Sequence, residues 1–348
     1  MQISTSLKTK SPLKAKRWLA GTAGAALFAG TAAYVAWAAR QAETAHPPKG
    51  RFIDVNKVRV HYLEKGEGPV ILLLHGKGSM ATDFQGSGLI DGLATHHRVI
   101  AIDRPGFGYS ERPRGKKWDA TEQAQLIAAT LGQLGIPSAI VVGHSWGAMC
   151  AIALALEAPH LVERLVLMSG YYYPSTRPDA LIMGAAAVPV IGDVMRYTTS
   201  AMTARVMLGY LHKRTFSPQP IYPGFSKAVP RDLLLRPSQM FAEAQESLMM
   251  VKEAERLSDS YADLKMPITI LAGSEDGALK TEEQSVKLHQ ALPHSKLKVV
   301  EKAGHMLHYS APQVVLAAIE EAAHAAKKGP AVKAPVVNPQ AATPFTQS

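Results

Sequence analysis

The chain predicts an α/β fold, a mostly parallel sheet flanked by helices, with a helical insertion and a long apolar segment ahead of it. Three observations carry this. Short apolar runs alternate with longer helical patterns from about residue 51 to 324, the rhythm of a sheet covered by helices. That rhythm breaks between Gly170 and Met266, where no clear strand pattern is legible. Trp18 to Ala39 then runs without a charge between Arg17 and Arg40.

Taken in order, residues 1–17 are a basic leader carrying Lys8, Lys10, Lys14, Lys16 and Arg17. The uncharged stretch 18–39 would reach about 33 Å as a helix, enough to span a bilayer core. It predicts a transmembrane helix with a cytoplasmic N-terminus and the following domain on the far side. Trp18 and Trp37 sit near its two ends, where interfacial aromatics belong. A cleaved signal peptide is the competing reading, because Ala36-Trp37-Ala38 fits a small-x-small cleavage site. It would leave a secreted or periplasmic protein. Residues 40–50, with Pro47-Pro48, read as a linker.

Within 51–170, Val58–Leu63 alternates as an early, antiparallel strand, and Val70–Leu74 is a continuous apolar run suited to burial on both faces. Further strands are expected at Val99–Asp103, Ala139–Val142 and Leu165–Met168, with helices near 119–134 and 146–157. The second part, 266–324, holds strands at Ile268–Leu271 and Leu297–Val300 and helices near 282–291 and 312–325. Between the two parts, 171–265 reads as a helical cap. It contains Tyr171-Tyr172-Tyr173 and the methionines Met183, Met195, Met202, Met207, Met240, Met249 and Met250. These are core packing or an adaptable apolar pocket lining. Residues 325–348 carry four prolines and no period and read as a flexible tail.

The net charge of +10 divides unevenly. Residues 1–50 hold +6 and residues 325–348 hold +3, leaving +1 for 51–324. The basic excess belongs to the ends, and no nucleic-acid partner is expected. A single cysteine, Cys150, excludes an intramolecular disulfide framework and any multi-cysteine metal site. It reads as a small core residue.

The strongest chemical signal is Gly143-His144-Ser145-Trp146-Gly147, placed after an apolar strand and before a helical run. A serine there sits on a sharp strand-to-helix turn, and the flanking glycines relieve crowding. On these residues the chain, over about 51–324, resembles the α/β-hydrolase superfamily. The resemblance implies a triad in the order Ser, Asp or Glu, His. Ser145 is then the nucleophile. The acid falls in Gly273-Ser274-Glu275-Asp276-Gly277, at Asp276, with Glu275 as the alternative. The base is His305, in the loop Ala303-Gly304-His305 after the last strand. It also implies an oxyanion hole from the backbone N–H of Trp146 and from the loop His75-Gly76-Lys77-Gly78, where Lys77 supplies the second N–H.

Several other residues take structural readings. His75 braces its loop, and His308 is a pocket residue. His305-x-x-His308 lacks an apparent third ligand, so no metal is expected, and no organic cofactor either. Asp103-Arg104-Pro105-Gly106-Phe107-Gly108-Tyr109-Ser110 lacks the third glycine of a dinucleotide loop, with Glu111 in its place. Ser110 is therefore not a nucleophile.

Within the resembled family, haloalkane dehalogenases and epoxide hydrolases carry Asp at the elbow, so Ser145 argues against both. Ser-Trp-Gly is reminiscent of proline iminopeptidases, but His144 stands where those commonly have glycine. The expectation is a membrane-anchored serine hydrolase, esterase- or lipase-like. It would act on a small, apolar acyl substrate through an acyl-enzyme, with peptidase or carbon–carbon hydrolase activity as variants. The alternatives are a hydrolase-fold binding or signalling protein without turnover, and an acyltransferase using the same triad.

Overall fold

The computed structural model describes residues 12–328. Residues 1–11 of the basic leader and 329–348 of the tail lie outside the described residues, and with them most of what the two ends were expected to do.

Eight strands form one sheet: β1 (Arg51–Val55), β2 (Val58–Lys65), β3 (Val70–Leu74), β4 (Arg98–Ile102), β5 (Ala139–His144), β6 (Val162–Met168), β7 (Ile268–Gly273) and β8 (Lys296–Val300). Their order across the sheet is β1-β2-β4-β3-β5-β6-β7-β8. β1 pairs with β2 and β2 with β4 antiparallel, while every pair from β4 to β8 is parallel. The apolar run of β3 is explained by two faces that are both covered. Leu72 and Leu74 belong to one core cluster, whereas Ile71 and Leu73 belong to the other. Successive side chains of a strand point to opposite faces, so a strand buried on both must be apolar throughout. The outer strand β8 instead exposes Lys296 and Lys298, charges that keep a free edge from pairing with another chain.

Helices α1 (Pro12–Ala45), α2 (Thr82–Gly86), α3 (Leu89–Leu93), α4 (Ala120–Gln133) and α5 (Trp146–Glu157) lie before β6. Between β6 and β7 the chain forms α6 (Pro178–Gly184), α7 (Ile191–Tyr197), α8 (Thr199–Phe216), α9 (Pro223–Ala228), α10 (Arg231–Leu234) and α11 (Pro237–Ser258). The last part adds α12 (Lys287–Ala291), α13 (Leu307–Ser310) and α14 (Pro312–Lys328). In α14, Val315, Ile319, Ala322 and Ala323 are buried; this is the i, i+4, i+7 stripe of an amphipathic helix laid on the sheet. Asp119 caps α4, its carboxylate accepting the N–H of Glu122 at 3.0 Å.

Two elements depart from expectation. β1 has no legible strand pattern, because Arg51 and Asp54 break its apolar alternation; its pairing with β2 makes it a strand. The expected transmembrane segment does form a helix, but among the described residues no helix is long and apolar enough to cross a membrane. The physical reason lies in its residues. From Gly24 onward α1 is mostly alanine and glycine, which carry little apolar area. Its C-terminal half also docks on the domain. Val35 and Ala42 are buried, and Glu43 pairs with Arg236 at 2.9 Å.

Candidate active site

Ser145 joins β5 to α5 with φ 54° and ψ −118°, a conformation that a non-glycine residue holds only when its surroundings impose it. Those surroundings are visible. The Ser145 N–H donates to the Met168 carbonyl at 2.9 Å. A Cβ on Gly147 would lie 2.1 Å from the Leu74 carbonyl oxygen, and one on Gly143 would lie 2.6 Å from Ala148 Cα and Gly147 O. Both glycines are therefore required by close backbone approach, at the points where β3 and α5 crowd the turn.

Trp146 opens α5. A helix's first N–H has no acceptor within the helix, so the Trp146 amide is available to a ligand at Ser145. Gly76 lies on the other side, where an added Cβ would come within 3.0 Å of Ser145 Cβ. The loop that follows Gly76 carries Lys77, whose Nζ donates to Ser247 Oγ on α11 at 2.8 Å.

The loop after β7 holds Asp276. Its Oδ1 accepts the N–H groups of Ala278 and Leu279 at 2.8 and 2.9 Å, and its Oδ2 lies 2.8 Å from His305 Nδ1. A carboxylate only accepts, so Nδ1 carries the ring proton and Nε2 keeps its lone pair. Glu275 is exposed, and its backbone N–H is spent on the Ala303 carbonyl. Ser145, Trp146, Lys77 and His305 line one pocket. The structure thus brings together a serine hydroxyl, an imidazole whose Nε2 keeps its lone pair, a carboxylate fixing that tautomer, and the Trp146 amide at the first turn of α5. Such a set supports nucleophilic attack with proton transfer.

His75 is fully buried. Its Nε2 accepts the Arg104 N–H at 3.0 Å, and its Nδ1 faces the Gly76 carbonyl at 2.8 Å. Burial, with the Arg104 cation beside it, pushes its pKa down to about 3, so it is neutral and braces its loop. Ser110 Oγ accepts the His61 N–H and is likewise structural. Cys150 is buried; burial raises its pKa to about 12 and keeps it a thiol. The pocket wall includes Met183, Met250 and Met306, together with Leu208, Leu211, Phe216 and Phe225. Of the methionines expected in a lining, Met183 and Met250 are there. Met306, from the last core loop, was not anticipated.

Four groups around the site carry no mark in the sequence. Arg104 donates to the carbonyls of His75 and Gly76 at 2.8 and 3.1 Å, and to Gln123 at 3.0 Å. Glu246 on α11 receives the same guanidinium through both oxygens. Glu243, one turn earlier, lines the pocket; burial raises its carboxyl to about 7, opposed by Lys77 and reinforced by Glu246. Asp83 on α2 is paired with His308 at 3.2 Å. Nothing local marks these residues, because each partner lies far away in the chain.

The sequence model of the α/β hydrolase fold matches residues 69–312. The chain belongs to this family. It is 30% identical over 275 residues to 2-hydroxymuconate semialdehyde hydrolase of Pseudomonas putida, covering 74% of this chain and 88% of that one. It is 26% identical over 282 residues to haloalkane dehalogenase 2 of Mycobacterium tuberculosis, covering 79% and 95%. Among solved structures, a bacterial membrane phospholipase A described as a virulence factor is similar, with a TM-score of 0.62 at 21% identity. That match covers 91% of this chain and 99% of the other. The chain is a hydrolase-fold enzyme.

Proposed function

We propose that the protein is a membrane-associated serine hydrolase that cleaves an ester or related acyl bond in an apolar substrate. The observation that carries it is the Asp276–His305 hydrogen bond opening onto the pocket of Ser145. Ser145 Oγ attacks the carbonyl carbon while His305 Nε2 takes its proton. The Trp146 and Lys77 amides receive the oxyanion, each donor of this kind being worth about 2.7–4 kcal/mol in the transition state. The alcohol departs with the proton from His305, leaving an acyl-Ser145. Water then attacks, giving its proton to His305, and the acid is released. Asp276 holds the imidazole in the tautomer this requires. Serine at the elbow, where dehalogenases of the resembled family carry aspartate, weighs against the chemistry named for the mycobacterial relative.

The apolar pocket wall favours an acyl chain. Association with a lipid surface is supported by exposed Leu27, Phe28, Tyr34 and Trp37 on α1 and by Val190, Ile191, Val206 and Tyr210 of the insertion, since large exposed apolar groups in numbers mark a contact surface. The likeness to the membrane phospholipase A supports the same reading. The contact proposed is interfacial, made by these exposed side chains.

The test is hydrolysis of short- and long-chain p-nitrophenyl esters by the wild type and by Ser145→Ala, with fluorophosphonate labelling of Ser145. Turnover and labelling that vanish together in Ser145→Ala support the reading. Ester turnover that survives the substitution overturns it.

A further inference from the structure

Behind Ser145 lie three buried side chains that the hydrolysis scheme does not use. Asp83 comes from α2, His144 from the end of β5 and His308 from α13. They are 0%, 2% and 0% exposed. One ligating atom of each lies within 4.8 Å of the others. Asp83 and His144 also form part of the wall of the Ser145 pocket.

Their hydrogen bonds do not close. His144 Nε2 lies 3.1 Å from the His305 carbonyl oxygen. A carbonyl only accepts, so Nε2 carries the proton and Nδ1 keeps the lone pair. His308 Nε2 faces Asp83 Oδ2 at 3.2 Å, the two atoms an ion would bridge. Ser79 Oγ donates to the same Asp83 Oδ2 at 2.8 Å. Asp83 Oδ1 and His144 Nδ1 are buried acceptors with no hydrogen-bond partner among the described residues. Buried acceptors are nearly always satisfied, and both of these lack a donor or a cation.

The chemistry of the set says which partner fits. Two imidazoles and one carboxylate make a nitrogen–oxygen donor set suited to zinc and its neighbours rather than to calcium or magnesium. The 3.2 Å between His308 Nε2 and Asp83 Oδ2 is close to the edge of a tetrahedron with bonds of ~2.0–2.1 Å, which is about 3.3 Å. Three protein ligands with one position open toward a pocket is a common arrangement for such ions. We propose that Asp83, His144 and His308 bind one divalent transition-metal ion of the zinc type beside the Ser145 pocket. The site stands apart from the hydrolysis scheme, which routes no step through an ion.

The test reads binding, so it is independent of turnover. The full chain, stripped with a chelator, is titrated with Zn²⁺ by calorimetry and with Co²⁺ by visible absorption. One saturable equivalent is expected, with the intense visible bands of four-coordinate Co²⁺. Asp83→Asn and His308→Gln should each weaken the affinity at least about 10-fold, the lower end of what even an outer-sphere partner commands. X-ray absorption of the zinc-loaded wild type should show imidazole scattering and bonds of ~2.0–2.1 Å, which serves if a variant does not fold. Absence of a saturable equivalent overturns the proposal. So does binding that both variants retain, which would point to a surface group such as His96, Glu320 and His324.

Discussion

Arg104, in the loop after β4, and Glu246, on helix α11 of the insertion, form an ion pair with both side chains wholly buried. The Arg104 guanidinium also holds the carbonyls of His75 and Gly76. One buried cation therefore links the inserted helices to the backbone beside Ser145. A buried ion pair is balanced only while both charges and their hydrogen bonds are present.

Removing one partner strands the other. Glu246→Leu should lower the stability of the fold by about 3–5 kcal/mol, read as a fall in the denaturant midpoint. Ester turnover should fall through kcat more than through KM, because the amide after Gly76 loses its support rather than the pocket its walls. An unchanged midpoint would show that α11 does not depend on the pair.

Asp276 and Glu275 are adjacent, and their substitutions should separate cleanly. Asp276→Asn should lower kcat by about 10⁴-fold, the loss expected when the orienting carboxylate of a triad becomes an amide. Glu275→Gln should leave kcat near the wild-type value. Steady-state kinetics on one p-nitrophenyl ester decides between them, and the reverse ranking would move the acid to Glu275.

Glu243 makes stability depend on pH. Burial raises its pKa in the folded chain to about 7, from an ordinary 4.5, with Lys77 and Arg104 opposing and Glu246 reinforcing. Between those values the folded state binds more protons than the unfolded state, so stability falls as pH rises. The contribution is full below about 4.5 and is lost as pH passes about 7. Urea midpoints measured from pH 5 to 8 should therefore decline less in Glu243→Gln than in the wild type. Parallel declines would remove Glu243 from the account.

The exposed aromatic and aliphatic residues of α1 should matter for lipid and not for chemistry. A Phe28→Ser, Trp37→Ser double variant should float less with phospholipid vesicles than the wild type. Labelling of Ser145 by a soluble fluorophosphonate should proceed at the wild-type rate. Equal flotation of the two proteins would remove α1 from the lipid contact.

The sequence by itself determined what is local. Val70–Leu74 and Ile268–Leu271 are strands because their apolar runs answer to a sheet covered on both faces. The turn at Ser145 was legible because glycines at 143 and 147 are needed where backbones crowd. The positions of Asp276 and His305 followed from loop order in a resembled family, and their contact is one that only the fold makes. Tertiary structure alone decided the rest. β1 is a strand by pairing, and α1 lacks the apolar length to span because its residues are small and its C-terminal half docks on the domain. The pairs Arg104–Glu246 and Asp83–His308 join residues 142 and 225 positions apart. A charge on a helix or in a loop carries no local mark of its distant partner. Burial makes such pairs consequential, and burial is a property of the packed chain.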